Sequence, residues 1–343
     1  MDAAEDFGRS TTFPSVRWFR RLARFGALLA AGVVVLGAWV RLTDAGLGCP
    51  DWPGCYGHWY PDTAHQLPAA LHEMVHRYVA TTLGAVITGL LLWAVLRRHA
   101  RGQPLAPVAL LLGIVCVQGA LGALTVTLLL KPLIVTAHLL GGLTTLGLLW
   151  WLSLEPDPRP LKREERGLRK FALGALALLG LQIALGGWTS SNYAALACPD
   201  LPTCQNAWWP VMNYRDAFVL WRGLGIDYEG GVLSNPARVA IHVTHRLGAV
   251  VVGLSLIGLG VLVWRRTAAR RLRIAGALLI AATLVQIALG LALVQWGVPL
   301  PVAALHNAGA AFLVVAMAGL LRGLWPARPI AAEGAPGRLA ETA

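Results

Sequence analysis

Charge is scarce in this chain. Only 13% of its 343 residues are Asp, Glu, Lys or Arg, where an ordinary soluble domain carries about a quarter. With 56% of the chain hydrophobic, that shortage excludes a soluble globular fold, because too few ionic side chains exist to wet its surface. Acids are scarcer than bases, 17 against 29. The resulting charge of +12 does not mark a nucleic-acid binder, since the basic residues are scattered over separate short loops and form no single patch. Cysteine is also sparse: two pairs and a single Cys116, which is expected to pack inside the third helix. A zinc site would need four ligands converging from two separate loops. No convincing signal-peptide cleavage site precedes Trp39, so the first apolar run is read as retained.

What the chain has in quantity is apolar runs. Segments long enough to cross about 30 Å of hydrocarbon occur near 23–42, 70–96, 105–129, 132–153, 171–190, 239–264, 273–296 and 300–322. Basic residues gather at one set of ends: Arg17 to Arg24, Arg97 to Arg101, Arg159 to Lys170, Arg265 to Arg273, then Arg322 and Arg328. By the positive-inside rule both termini are expected in the cytoplasm of a bacterial-type inner membrane. The opposite loops hold the cysteine pairs, Cys49 with Cys55 in CPDWPGC and Cys198 with Cys204 in CPDLPTC. Outside the cytoplasm each short Pro-containing turn is expected to close a disulfide, either a structural staple or a redox-active pair.

The chain repeats itself. GAWVRLTDAGLGCPDWPGC (37–55) aligns without a gap on GGWTSSNYAALACPDLPTC (186–204), an offset of 149. Farther on the offset is 168 to 169: HRYVATTLGAV (76–86) falls on HRLGAVVVGLS (245–255), and QGALGALTV (118–126) on QIALGLALV (286–294). An insertion in the second outer loop accounts for the change. Each repeat holds four helices, an even number, so the halves share one orientation and an axis along the membrane normal relates them. The expected fold is an all-α integral membrane protein with eight transmembrane helices as two duplicated four-helix bundles. Its parts are a cytoplasmic segment 1–22, a bundle 23–155, a linker 156–170, a bundle 171–325 with outer loop 191–238, and a disordered tail 326–343.

The duplication pairs His76 with His245 and His138 with His306. Each lies about 10 Å below the outer surface, at 1.5 Å per helical residue. One intramembrane histidine is readily a hydrogen-bonded core residue, but four in a level, duplicated pattern point to ligands. Two imidazoles facing each other across a bundle suit bis-histidine ligation of haem iron and leave zinc under-coordinated. Arg77 and Arg246, next to the histidines and toward the outer end, either pair with haem propionates or snorkel to the interface. Glu73 shares a helix face with His76, and the same offset carries it onto His242, so the acid has no counterpart. That asymmetry marks the first half as the reacting one. His72, one turn before His76, is read as interfacial or supporting.

At these residues the sequence resembles the haem A synthase family, membrane enzymes that oxidise a methyl group of haem O to the formyl group of haem A. The likeness rests on eight helices in two halves, E-x-x-H-R at 73–77, the histidines at 138, 245 and 306, and cysteine pairs in both large outer loops. The resemblance implies that His76 and His138 hold substrate haem O, with Glu73 assisting its oxidation. It implies that His245 and His306 ligate a haem b that relays electrons. The implied partners are the lipid bilayer, a haem O synthase, an electron carrier of unknown identity and a further copy of the chain, with no nucleic acid. The rivals are a dihaem b-type cytochrome, which leaves Glu73 unexplained, a thiol–disulfide carrier feeding a quinone, and a transporter.

Overall fold

The computed structural model describes residues 14–60, 67–98, 104–155 and 162–325. The chain before residue 14, much of the linker with Arg159, Arg101, and the tail with Arg328 lie outside the described residues. These residues form α1 (Pro14–Leu42), α2 (Leu67–Leu96), α3 (Leu105–Thr127), α4 (Pro132–Ser153), α5 (Arg163–Ser191), a single-turn α6 (Tyr214–Ala217), α7 (Asn235–Arg266), α8 (Arg270–Gln295) and α9 (Leu300–Gly323). All but α6 are long and apolar enough to span a bilayer. The protein is an all-α, multi-pass membrane protein.

Two helices outrun their apolar segments at the arginine-rich end, α1 starting at Pro14 and α5 at Arg163. Extending a helix that already exists costs little, and arginine stems lie along apolar surface while their heads stay polar. Arg20 pairs with Glu155 at 2.6 Å and Arg24 donates to the Ser153 carbonyl at 3.4 Å. Glu164 and Glu165 occupy the first turn of α5, where a helix favours negative charge. Lys162 N–H donates to Glu165 Oε2 at 3.0 Å. At the other end, which carries the cysteine loops, α2, α4, α7 and α9 each have a proline in the first turn: Pro68, Pro132, Pro236 and Pro301. There the missing N–H has no helical partner to lose.

Packing pairs come in matched couples. α1 packs on α2 and α4, as α5 does on α7 and α9; α2 meets α3 and α3 meets α4, as α7 meets α8 and α8 meets α9. α4 packs on α9, flanked by α1 against α9 and α4 against α5. Of the buried clusters the two largest centre on Ile87, Leu90, Leu111, Leu146 and Leu149, and on Leu256, Leu259, Leu279, Met317 and Leu320. Lipid is as apolar as leucine, so close packing, with no hydrophobic transfer behind it, must hold such helices together. Glycine permits it: a Cβ on Gly276 would stand 3.0 Å from the Gly260 carbonyl oxygen, so α7 and α8 approach backbone to backbone.

The ends of α1 and α5 meet through residues 149 apart. Arg41 donates to the Ser190 carbonyl at 2.6 Å, and Tyr193 donates to Asp44 Oδ1 at 2.8 Å. The loop between α5 and α7 reaches back over the α3–α4 turn, where Tyr228 N–H donates to the Leu129 carbonyl at 3.1 Å. Lys131, only 2% exposed, donates to the Gly223 carbonyl and stands 3.7 Å from the centre of the Trp221 ring. Cys116, expected to pack inward, is exposed instead, because α3 turns only Val108, Leu111 and Val126 into the core.

Candidate functional site

Each candidate histidine sits about two to three turns in from the loop end of its helix, His76 on α2, His138 on α4, His245 on α7 and His306 on α9. His76 and His138 face each other with ring centroids 6.5 Å apart and planes at 78°. His245 and His306 occupy the matching places on α7 and α9. The Nδ1 atoms of His76, His138 and His306 are buried with no hydrogen-bond partner. Each of the four rings rests on a glycine of the preceding membrane helix. A Cβ on Gly37 would come 2.8 Å from His76 Cε1, on Gly122 3.4 Å from His138 Cε1, on Gly186 3.2 Å from His245 Cε1, and on Gly290 3.3 Å from His306 Cε1. Among the described residues no cluster of three or more His, Cys, Asp or Glu could hold a bare metal ion.

Glu73 is 5% exposed and doubly engaged. Its Oε2 accepts from the Cys49 N–H at 2.8 Å and its Oε1 pairs with Arg77 Nη2 at 2.6 Å. Arg77 Nη1 donates to the Asp51 carbonyl at 3.0 Å and the Gly54 carbonyl at 2.5 Å. In the other half Arg246 reaches the matching loop directly, donating to the carbonyls of Cys198 at 2.7 Å, Asp200 at 3.0 Å and Thr203 at 2.8 Å. Both arginines, singled out in the sequence beside a porphyrin's carboxylates, are here tied to the cysteine loops. His242, where the first half has Glu73, is buried, and its Nδ1 has no partner. His72 meets the edge of Trp39 at 6.4 Å.

Both loops are closed by disulfides, Cys49–Cys55 and Cys198–Cys204. Inside each, an aspartate caps the turn. Asp51 accepts from Tyr56 N–H at 2.6 Å and Gly57 N–H at 2.8 Å; Asp200 accepts from Gln205 N–H at 2.6 Å, Asn206 N–H at 3.1 Å and the Thr203 hydroxyl. The Gly57 N–H above all holds the Asp51 carboxyl below the usual carboxylate range, and the Thr203 hydroxyl does so for Asp200. Neither aspartate was singled out in the sequence, although both lie in the repeated C-P-D.

Three glutamines were also passed over. Gln182 Nε2 donates to the His245 carbonyl at 2.9 Å and lies 3.0 Å from His245 Nδ1, while Gln286 Nε2 donates to the His306 carbonyl at 3.0 Å. Gln118 lies over Gly141 on α4, one turn beyond His138. The signal was present as QGALG at 118–122 and QIALG at both 182–186 and 286–290.

What fold and site define is an all-α, multi-pass membrane protein with histidines set in matched positions on its helices beneath two disulfide-closed loops. The chain belongs to the COX15-CtaA family, described as cytochrome oxidase assembly protein, whose model matches residues 20–318. A relative from Shewanella oneidensis, named heme A synthase, is 38% identical over 326 residues, 90% of this chain and 96% of that protein. Proteins of the same name from Halalkalibacterium halodurans and Rhizorhabdus wittichii are 32% and 27% identical, covering 57% and 85% of this chain and 67% and 89% of their own lengths.

Proposed function

We propose that this chain is a haem A synthase, an enzyme that oxidises the methyl group of haem O to the formyl group of haem A. The observation that carries the reading is the facing pair His76–His138 with Glu73 one turn away. Two imidazoles that shared one metal would have ring centres roughly 6 Å apart, and the observed 6.5 Å suits His76 and His138 to hold one between them. The Nδ1 atoms of His76, His138 and His306 are buried with no hydrogen-bond partner, so no protein hydrogen bond at Nδ1 commits these rings to another role. The matched packing couples and the contacts between residues 149 apart support two duplicated halves.

In this reading His76 and His138 hold the substrate, and His245 and His306 hold a haem b that supplies one-electron chemistry. Converting methyl to formyl takes up one water and gives up four protons and four electrons, so the first half needs a group that moves protons. Glu73 is the carboxylate there, and His242 stands at its place in the half that only relays. Arg77 holds Glu73 in position and ties it to the Cys49–Cys55 loop. Arg246 Nε is buried and unpartnered, a donor suited to a porphyrin carboxylate. The loops face the outer side, the arginine-rich ends and both termini face the cytoplasm, and a haem O synthase hands over the substrate, whose apolar tail travels poorly through water.

The test is pigment chromatography on protein purified from cells that make haem O. Wild type should carry haem b together with haem O and haem A. Glu73→Ala should keep its haem and accumulate haem O, with turnover down about 10²- to 10⁴-fold, the usual worth of a placed proton carrier. Haem b alone in wild type would make the chain a dihaem cytochrome. An unimpaired Glu73→Ala would remove the carboxylate from the mechanism.

A further inference from the structure

The four histidines share one supporting device, and one of them lacks half of it. Each ring rests on a glycine of the preceding membrane helix, Gly37, Gly122, Gly186 or Gly290. Four residues before three of these glycines stands a glutamine: Gln118, Gln182 and Gln286. Its amide crosses to the histidine-bearing helix and settles on a second glycine, three residues after the histidine: Gly141, Gly248 and Gly309. Any Cβ at those three positions would run into the amide. The first quarter departs at both places. Val33 stands where the glutamine would be and Val79 where the seat would be, so His76 has its ring glycine but no amide.

The amide has two consequences. Gln182 and Gln286 donate to the main-chain carbonyls of His245 and His306, which fixes the ligand helix against its neighbour at the level of the imidazole. Their Oε1 atoms are buried without a partner, and so is His306 Nδ1, while His245 Nδ1 lies 3.0 Å from the Gln182 amide. At Gln182 one Nε2 makes both contacts, so turning the amide over would present Oε1 to a His245 Nδ1–H and leave the ring's Nε2 free for a metal, in exchange for the carbonyl bond. A hydrogen bond at the second ring nitrogen orients a ligand histidine and raises its basicity. At His76 the valine at position 33 has no amide to offer, and only its main chain is near the ring.

From this we infer that His76 is the releasable ligand of the four: the substrate porphyrin is admitted and given back when His76 lets go of the iron, while His138 keeps hold. The inference rests on the haem-ligand reading above. It makes Gln118, Gln182 and Gln286 positioning residues and gives the asymmetry a purpose. A resident haem b profits from two supported ligands. A substrate that must leave as product profits from one that no amide ties down, placed on the same helix as Glu73.

Carbon monoxide, added to the dithionite-reduced protein with its pigments bound, reads out ligand release, because it binds ferrous iron only where an imidazole gives way. In wild type one haem, the substrate one, should react and haem b should not. V33Q/V79G, which installs the missing amide and its seat, should slow that reaction about 10- to 100-fold, the usual effect of a supporting hydrogen bond on a metal ligand. Q182V/G248V should make haem b reactive. Purified wild type without haem would sink the haem reading itself. With haem present, a CO-reactive haem b in wild type, or a V33Q/V79G protein that keeps its pigments and reacts at the wild-type rate, would overturn the inference alone. Should V33Q/V79G not assemble, single V33Q and the Q182V/G248V arm decide by the same spectra.

Discussion

At the scale of single residues, the site is governed by what is small. Alanine is worth up to about 1 kcal/mol more than glycine inside a helix, so a glycine kept under each candidate histidine is kept against propensity. How much each substitution costs depends on the gap. At Gly122 a new Cβ would lie 3.4 Å from His138 Cε1, an ordinary contact, whereas at Gly37 it would lie 2.8 Å from His76 Cε1. Gly122→Ala is therefore expected to keep its haem and to hold or raise the Tm, because propensity wins where there is room. Gly37→Ala is expected to push the His76 ring aside and lose pigment from the first half. Haem-to-protein ratio together with thermal unfolding checks both. Equal pigment in the two variants would mean that the ring glycines do not set the imidazole's place.

At the scale of elements, the cysteine loops are held from inside by an aspartate and from below by an arginine. Asp51 has its carboxyl pulled below the usual range by the Gly57 and Tyr56 N–H groups. A group whose folded pKa is depressed adds stability that is complete above the ordinary carboxylate value of about 3.9 and fades as pH falls through the folded value. The Cys49–Cys55 bridge should thus resist a phosphine reductant at pH 7 and yield faster well below pH 4. Asp51→Asn should yield faster at pH 7 already, with little further change on acidification; thiol titration over time measures it. The sequence displayed these elements unevenly. The eight spanning helices, the paired cysteines and the four histidines were legible, because apolar length and residues costly to bury in lipid stand out from their surroundings. The loop clamps of Arg77 and Arg246 were not, because a contact between an arginine head and a carbonyl 23 to 48 residues away depends on how the loop folds back. Nor were the glutamines, whose partner is main chain and so leaves no second residue to notice. The extra turns of α1 and α5 escaped because apolar runs report hydrocarbon thickness and helices continue past it.

At the scale of the whole molecule, orientation is the property that most needs a direct measurement, since packing alone does not say which end faces which compartment. Residues at the arginine end, such as Arg97, Arg265, Arg266 and Arg271, stand in or beside short connections of the kind that stays in the cytoplasm. Several cations at the loop end are instead spoken for: Arg41 by Ser190 and Asp44, Arg77 by Glu73, Lys131 by Gly223 and the Trp221 ring, Arg222 by Asp216, Arg246 by its loop. Such residues serve structure, and their charge is partly spent before any membrane potential acts on it. Two exposed positions separate the alternatives, Val211 in the α5–α7 loop at 77% and Trp18 near the start of α1 at 60%. In a Cys116→Ala background, Val211→Cys should react with a membrane-impermeant maleimide on intact cells stripped of their outer membrane, and Trp18→Cys only after permeabilisation. The reverse pattern would put the disulfide loops in the reducing cytoplasm, where bridges of this kind do not persist, and would turn the end that carries the four histidines toward that compartment as well.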